Sequence, residues 1–314
     1  MVFIIAKVRV HPVYNVGMEA TEQTLILLDR NAVTFIRDYL SAREKRRTRA
    51  FLNARSDNYG RLFSLHSVDR PEFCASPLLS IMEGQLAGPQ TAPAVVAVAE
   101  EEFAAVAQFF TLANTDGKVG RNAQFIQQSA AAFSGELEHS FSAVQRFLTD
   151  CFPLIYQSIS ADKRLSVENT LFELARKHTL SISHPAFIVA VASLYGNRDC
   201  QAVLKPKASL SGDRLNRATY NSTSDIAVLH RVAMITALLQ SEPDRGPNKV
   251  RFFTFDKPLL RIYDSLEISG IHVQEGKRSS RTTMKISFSA DLFPKLPECE
   301  RPRLQARLGL TPSP

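Results

Sequence analysis

Four acids stand out by the company they keep. Asp29 closes the apolar run L-I-L-L and Asp256 closes V-R-F-F-T-F, each followed by a segment that reads as helix; Glu83 and Asp225 fall near expected helix starts. An apolar run that ends in a carboxylate and hands over to a helix reads as a buried parallel strand. Ligands in open α/β sheets lie at such strand ends. With the two strands as neighbours in one parallel sheet, all four acids would face one cleft at its C-terminal edge. An oxygen cluster of this kind suits Mg²⁺ or Mn²⁺, hard ions that prefer carboxylate and water to nitrogen or sulfur. Each acid also fits a plainer role: Asp29, Asp225 and Asp256 as helix caps, Glu83 as a solvated helix residue.

The elements that must position these acids follow from periodicity. Residues 1–16 alternate as an edge strand. The Leu25 strand leads into a helix from Asn31 to about Leu52, with Val33, Phe35, Ile36, Tyr39 and Leu40 at helical spacing and Arg43, Arg46 and Arg47 on one face of its later turns. L-F-S-L-H, within residues 61–73, reads as a short strand; Ser76 then caps a helix opened by Pro77, with Leu78, Leu79 and Met82 on its apolar side. From Ala94 to about Ala208 nearly everything reads as helix, including 121–132 and 185–195, and its phenylalanines (Phe103, Phe109, Phe110, Phe125, Phe133) read as core. T-D-G-K-V-G at 115–120 is one of its breaks. Lys205 to Tyr220 reads as a basic loop, and the next helix is capped by Ser222 or Ser224 with Ile226, Leu229, Val232, Ala233 and Leu239 inside. A short helix starts at Lys257-Pro258, residues 284–289 form one more strand, and the chain from Leu292 is expected to be extended.

Composition narrows the function classes. Hydrophobic residues at 45% and charged residues at 22% are ordinary for a globular chain and exclude disorder. Lys and Arg number 38 against 31 Asp and Glu, a net +7 with a pI near 9.3, which favours polyanionic partners: nucleic acid first, an anionic membrane surface second. Cys74, Cys151, Cys200 and Cys299 stand 77, 49 and 99 residues apart with no C-x-x-C, so neither a zinc module nor a disulfide framework fits, and the expected compartment is a reducing cytoplasm. The apolar start lacks the order of a signal peptide, and Pro185 to Leu194 is too short to cross a bilayer, so no membrane anchor is expected. Walker, G-x-G-x-x-G and G-x-S-x-G motifs are absent, which argues against nucleotide-driven, dinucleotide and α/β-hydrolase chemistry. The seven histidines lie apart, and His184-Pro185 reads as a helix start.

The four acid-bearing motifs, L-L-D-R-N, S-P-L-L-S-I-M-E, S-D-I-A-V-L and F-F-T-F-D-K, resemble in order and type those of the PIN-domain nucleases. That family's pattern is a strand ending D-[ST]-N, a helix with a Glu, a helix entered through an Asp, and a strand ending T-x-D. The resemblance covers residues 22–90 and 218–265, about a third of the chain. It implies an α/β fold, three-layer α/β/α with a mainly parallel sheet, enlarged by a large all-helical insertion. Residues 1–93 and 209–290 would be the two parts of that domain, 94–208 the insertion and 291–314 the extended tail.

The family implies a metal-dependent phosphodiesterase acting on RNA, less often on DNA. One or two Mg²⁺ or Mn²⁺ would be held by Asp29, Asp225 and Asp256, with Glu83 direct or through water, while Asn31 and Thr254 hold the carboxylates. Two features depart from the pattern: Arg30 replaces a small hydroxyl residue, and 142 residues separate Glu83 from Asp225. Arg30 would either disturb the carboxylate's hydrogen bonds or meet a phosphate. A homodimer, an inhibitory protein partner and a role as toxin or anti-phage effector are further expectations of the resemblance. The rivals are a catalytically inactive PIN-like module that binds RNA or protein, and a helical interaction protein whose acids are only caps. Basic stretches at 43–49, 205–217 and 277–285 would grip a phosphate backbone without reading sequence, through Arg30, Arg43, Arg46, Arg47, Lys205, Lys207 and Lys257, or else form solvated faces.

Overall fold

A computed structural model describes residues 23–84, 92–116, 141–240, 249–275, 280–288 and 290–309. The expected strand within 1–16 and the expected helix over 121–132, with Phe125 and Phe133, lie outside the described residues. The protein is mixed α/β and mostly helical. It divides into two compact units, one of Phe3–Gly135 with Ile235–Phe255, the other of Glu136–Met234 with Asp256–Pro314.

The first unit carries the sheet. Its elements are β1 (Thr24–Leu28), α1 (Arg30–Glu44), α2 (Thr48–Asn53), α3 (Asn58–Ser67), β2 (Phe73–Ser76), α4 (Leu78–Gly84), α5 (Ala92–Phe109), β3 (Asn114–Thr115) and, much later in the chain, β4 (Lys249–Phe253). All four strands are parallel, in the order β3-β2-β1-β4. Leu27 of central β1 aligns with Ser76 on one side and Phe252 on the other. Successive side chains of a strand point to opposite faces. Leu25, Ile26, Leu27 and Leu28 are all buried, so both faces of β1 are covered, which is why its sequence is an unbroken apolar run. Ile26 and Leu28 join Val33, Ile36 and Leu40 of α1 with Val106 and Phe109 of α5 in one cluster. Each such side chain contributes roughly 1.5–3 kcal/mol by leaving water.

A single carboxylate ties down the approach to β3. Asp69 accepts from the backbone N–H groups of Thr111, Leu112 and Ala113 and from the Thr111 hydroxyl, at 2.8–3.1 Å. Burial alone would raise its pKa; these donors overcome that and hold it below the usual aspartate value.

The second unit is built from α6 (residues 141–155), α7 (Ala161–Lys177), α8 (Pro185–Leu194), α9 (Arg198–Leu204), the greater part of α10 (Gly212–Gln240), α11 (Lys257–Ser265), an antiparallel hairpin of β5 (Leu266–Glu275) and β6 (Ser280–Phe288), and α12 (Arg301–Arg307). All ten residues of α8 are buried. His184 is its N-cap, accepting through Nδ1 from the Ala186 N–H at 3.1 Å. Among the described residues, no helix is long and apolar enough to cross a membrane.

Several expectations need correction. Helix α1 stops at Glu44 because Arg46 adopts a left-handed φ of 55°, so Arg46 and Arg47 sit in a turn and do not share a helix face with Arg43. L-F-S-L-H is helical: in α3 Leu65 is buried, and Asn58 Nδ2 donates to the Phe51 carbonyl at 2.8 Å, fastening the first turn to α2. Helix α10 begins ten residues before Ser222, whose hydroxyl donates to the Leu204 carbonyl at 2.8 Å, so it serves the end of α9 and is not a cap. The C-terminal stretch is not extended: Leu292, Phe293, Leu296, Leu304 and Leu308 are buried, and α12 lies among them in sequence.

Candidate functional site

Because the strands are parallel, their C-terminal ends share one edge of the sheet. Asp29 stands there, directly after β1, and is 4% exposed. Its Oδ1 accepts from the N–H groups of Asn31 and Ala32 at 2.6 and 3.2 Å, which makes it the N-cap of α1. Thr254, the residue following β4, donates its hydroxyl to Asp29 Oδ2. Asn31 completes the group: its Nδ2 donates to Thr254 Oγ1 at 3.4 Å, and its Oδ1 accepts from the Phe255 N–H at 3.2 Å. The backbone N–H of Asp29 donates to the Phe253 carbonyl at 3.0 Å. A carboxylate from one strand end is thus oriented by a hydroxyl at the next, 225 residues further on, and the Asn31 side chain links the same two strand ends across 223 residues.

The other expected acids are placed as follows. Asp256 is the N-cap of α11 and accepts from the Leu259 N–H at 2.9 Å. Asp225 lies in the interior of α10, thirteen residues beyond Gly212, and not near a helix start. Both belong to the second unit, Asp29 to the first. Glu83 is in α4, and its side chain lies outside the described residues. Among the described residues, no group of three or more His, Cys, Asp or Glu gathers as a metal site would.

Two further acids in the sheet unit were not singled out from sequence. Asp116 follows β3 at the same edge that Asp29 occupies after β1, and the Cys74 thiol donates to its Oδ1 at 3.7 Å. Burial lifts its carboxyl above the ordinary value, partly offset by hydrogen bonds with Ser76 and Cys74. The signal was N-T-D, a strand end reduced to two residues, too short to show a period. Glu102 of α5 is 4% exposed, with its Oε2 lacking a hydrogen-bond partner among the described residues. Burial raises its pKa, against the charges of Arg30 and Arg37, which lower it. Only helix packing reveals it.

The expected phosphate contacts are all on the surface. Arg30, Arg43, Arg46 and Arg47 are exposed in the sheet unit, and Lys205, Lys207 and Lys257 in the other. Lys205 ends α9 in a left-handed conformation at φ 50°. No known protein family, curated protein or solved structure matches this chain.

Proposed function

We propose that the protein is a metal-dependent phosphodiesterase of the PIN type, a ribonuclease whose site is the C-terminal edge of the parallel sheet. The observation that supports this best is Asp29 at the end of central β1, held by Thr254 and Asn31. Oriented carboxylates with supporting hydrogen bonds are what a hard cation requires. Within the sheet unit Asp29, with Glu83 of α4, offers only carboxylate oxygens, which fits such an ion, and would hold one or two Mg²⁺ or Mn²⁺. A bound ion would supply a more acidic water and positive charge against the phosphate. The chain's own work is positioning: Thr254 and Asn31 fix the Asp29 carboxylate, and exposed Arg30, first in α1, is available to a phosphate oxygen.

A second reading, a catalytically silent RNA- or protein-binding module, is favoured by one observation: both oxygens of Asp29 are already employed, one capping α1 and one taking the Thr254 hydroxyl. Asp29→Asn separates the two. Asparagine keeps an oxygen that can cap the helix, so the variant should fold with a near-native melting temperature, while cleavage of labelled RNA with Mn²⁺ should fall at least ~100-fold. Cleavage that persists in the variant overturns the nuclease assignment. Binding without cleavage in the parent protein supports the silent module.

A further inference from the structure

The surface of the α2–α3 segment has properties that the sheet edge does not account for. Tyr59 and Phe63 of α3 are 52% and 77% exposed. At positions i and i+4 they stand one above the other on one flank of the helix. The Tyr59 hydroxyl donates to Asn53 Oδ1 at 3.1 Å, which limits the movement of its ring. Exposed rings of this kind lose apolar contact with nothing gained in packing.

Charge is concentrated around them. Residues 43–61 hold seven cations (Arg43, Lys45, Arg46, Arg47, Arg49, Arg55, Arg61) and two acids (Glu44, Asp57), a net of 7 − 2 = +5 out of +7 for the whole chain. All seven cations except Arg61 are exposed. A protein or membrane partner that only needed apolar contact would not call for this density of positive charge beside the rings.

Helix geometry links the rings to the strand ends. At 100° per residue, Arg61 falls on the flank of α3 opposite Tyr59 and Phe63. There its guanidinium stands over the Phe255 ring, 5.1 Å from the centroid, and the Phe255 N–H is the one bonded to Asn31. Between the two flanks lies Gly60. A methyl group at Gly60 would meet nothing within 4 Å, and alanine there would be more stable by roughly 0.5–1 kcal/mol, so no packing requirement explains the missing side chain. Bare backbone at an exposed helix position permits a ligand to approach closely. The crossing from rings to Phe255 is the width of one helix, roughly 10–12 Å.

We infer that Tyr59 and Phe63 form a base-stacking platform for single-stranded nucleic acid, from which the strand crosses α3 at Gly60 toward the sheet edge while the surrounding arginines take its phosphates. Stacking requires unpaired bases and tolerates any sequence, so the platform selects strandedness. This deepens the nuclease proposal by naming the substrate class, and rests on it only for the direction of the strand.

The test is fluorescence anisotropy of labelled oligouridylate, labelled oligothymidylate and a duplex of the same length, in EDTA so that no cleavage intervenes. The parent protein should bind both single strands more tightly than the duplex. Phe63→Ala should weaken single-strand binding about 5- to 100-fold, with Tyr59→Ala adding to the loss and Phe63→Trp restoring it. At 77% exposure Phe63 can be truncated without unfolding, which circular dichroism checks. Unchanged binding in Phe63→Ala, equal binding to duplex, or a change of oligomeric state without a change of affinity overturns the platform. Asp29→Asn keeps the two proposals apart: a platform without catalysis binds as described and never cleaves, whereas a nuclease without the platform cleaves with Asp29 dependence and is indifferent to Phe63. The oligouridylate-to-oligothymidylate ratio separates RNA from single-stranded DNA as the natural strand, and either ratio is consistent with stacking.

Discussion

The Asp29 carboxylate and the His184 imidazole both cap helices, but in different surroundings. Asp29 is held by hydrogen-bond donors. His184 is buried beside His230, the rings stacked at 5.6 Å, and burial, together with the neighbouring ring, pushes its pKa down from 6.5 to about 3. His230 is lowered to about 4 by burial and by the charge of Arg231. The unfolded chain takes up protons on these rings near pH 6.5, the folded one only near pH 3–4, so unfolding binds protons across that window. Stability is therefore full above pH 6.5 and declines as the pH falls through it. His184 alone should cost about 1 kcal/mol between pH 7 and pH 5.5. Denaturant unfolding at the two pH values measures this. In His184→Asn, whose side-chain oxygen can still accept from Ala186, the decline should shrink by that amount; an unchanged slope would mean the ring is protonated in the native state.

Elements are held in place here by a few polar staples as much as by apolar area. Glu168 of α7 is fully buried and accepts from Arg303 at 2.6 and 2.9 Å, from Arg307 at 2.5 Å and from the Tyr195 hydroxyl at 2.5 Å. Burial alone would raise its pKa, but these partners prevail and hold it below the usual glutamate value. The staple binds α12 to α7, with Arg307 lying 4.0 Å over the Phe172 ring. Removing one partner of a buried pair leaves the others uncompensated. Because Arg303 and Arg307 are 32% and 29% exposed, Glu168→Gln should cost about 2–3 kcal/mol, below the usual range for a fully enclosed pair. Limited proteolysis should then cut first within 301–307. A parent-like pattern would show that apolar burial alone holds α12. The five prolines and three arginines from Leu292 onward suggested an extended end. The ion pairs and the spacing of Leu304 and Leu308 decide otherwise, and they act only once α7 is beside them.

At the scale of the whole molecule the net charge of +7 is less informative than its distribution, with +5 of it in residues 43–61. Phosphate contacts and base stacking differ in their response to salt. Replacing Arg46 and Arg47 together with glutamine should weaken RNA binding regardless of sequence and lower the slope of log affinity against log salt by roughly 1.4, at about 0.7 per phosphate contact on single strands. Phe63→Ala should lower affinity with the slope unchanged. A titration series in potassium chloride checks both, and an unchanged slope in the double variant would remove this segment from the phosphate path.

Local features of the sequence determined much of this protein. The unbroken apolar run of β1 reads as a strand covered on both faces, and His184-Pro185 as a helix start, because period and cap chemistry act over a few residues. Asp29 was legible as the residue that closes a strand, whereas Asn31 and Thr254 were singled out only through the resemblance to the PIN-domain motifs. Tertiary structure alone decided the rest. It set the order β3-β2-β1-β4, which puts Thr254 against Asp29, and it made a strand of two residues after Asp69 gathered the amides of 111–113. It also enclosed Glu102 between helices and carried α10 straight through Ser222 and Asp225. These depend on partners distant in sequence, whose burial and hydrogen bonds no local pattern contains.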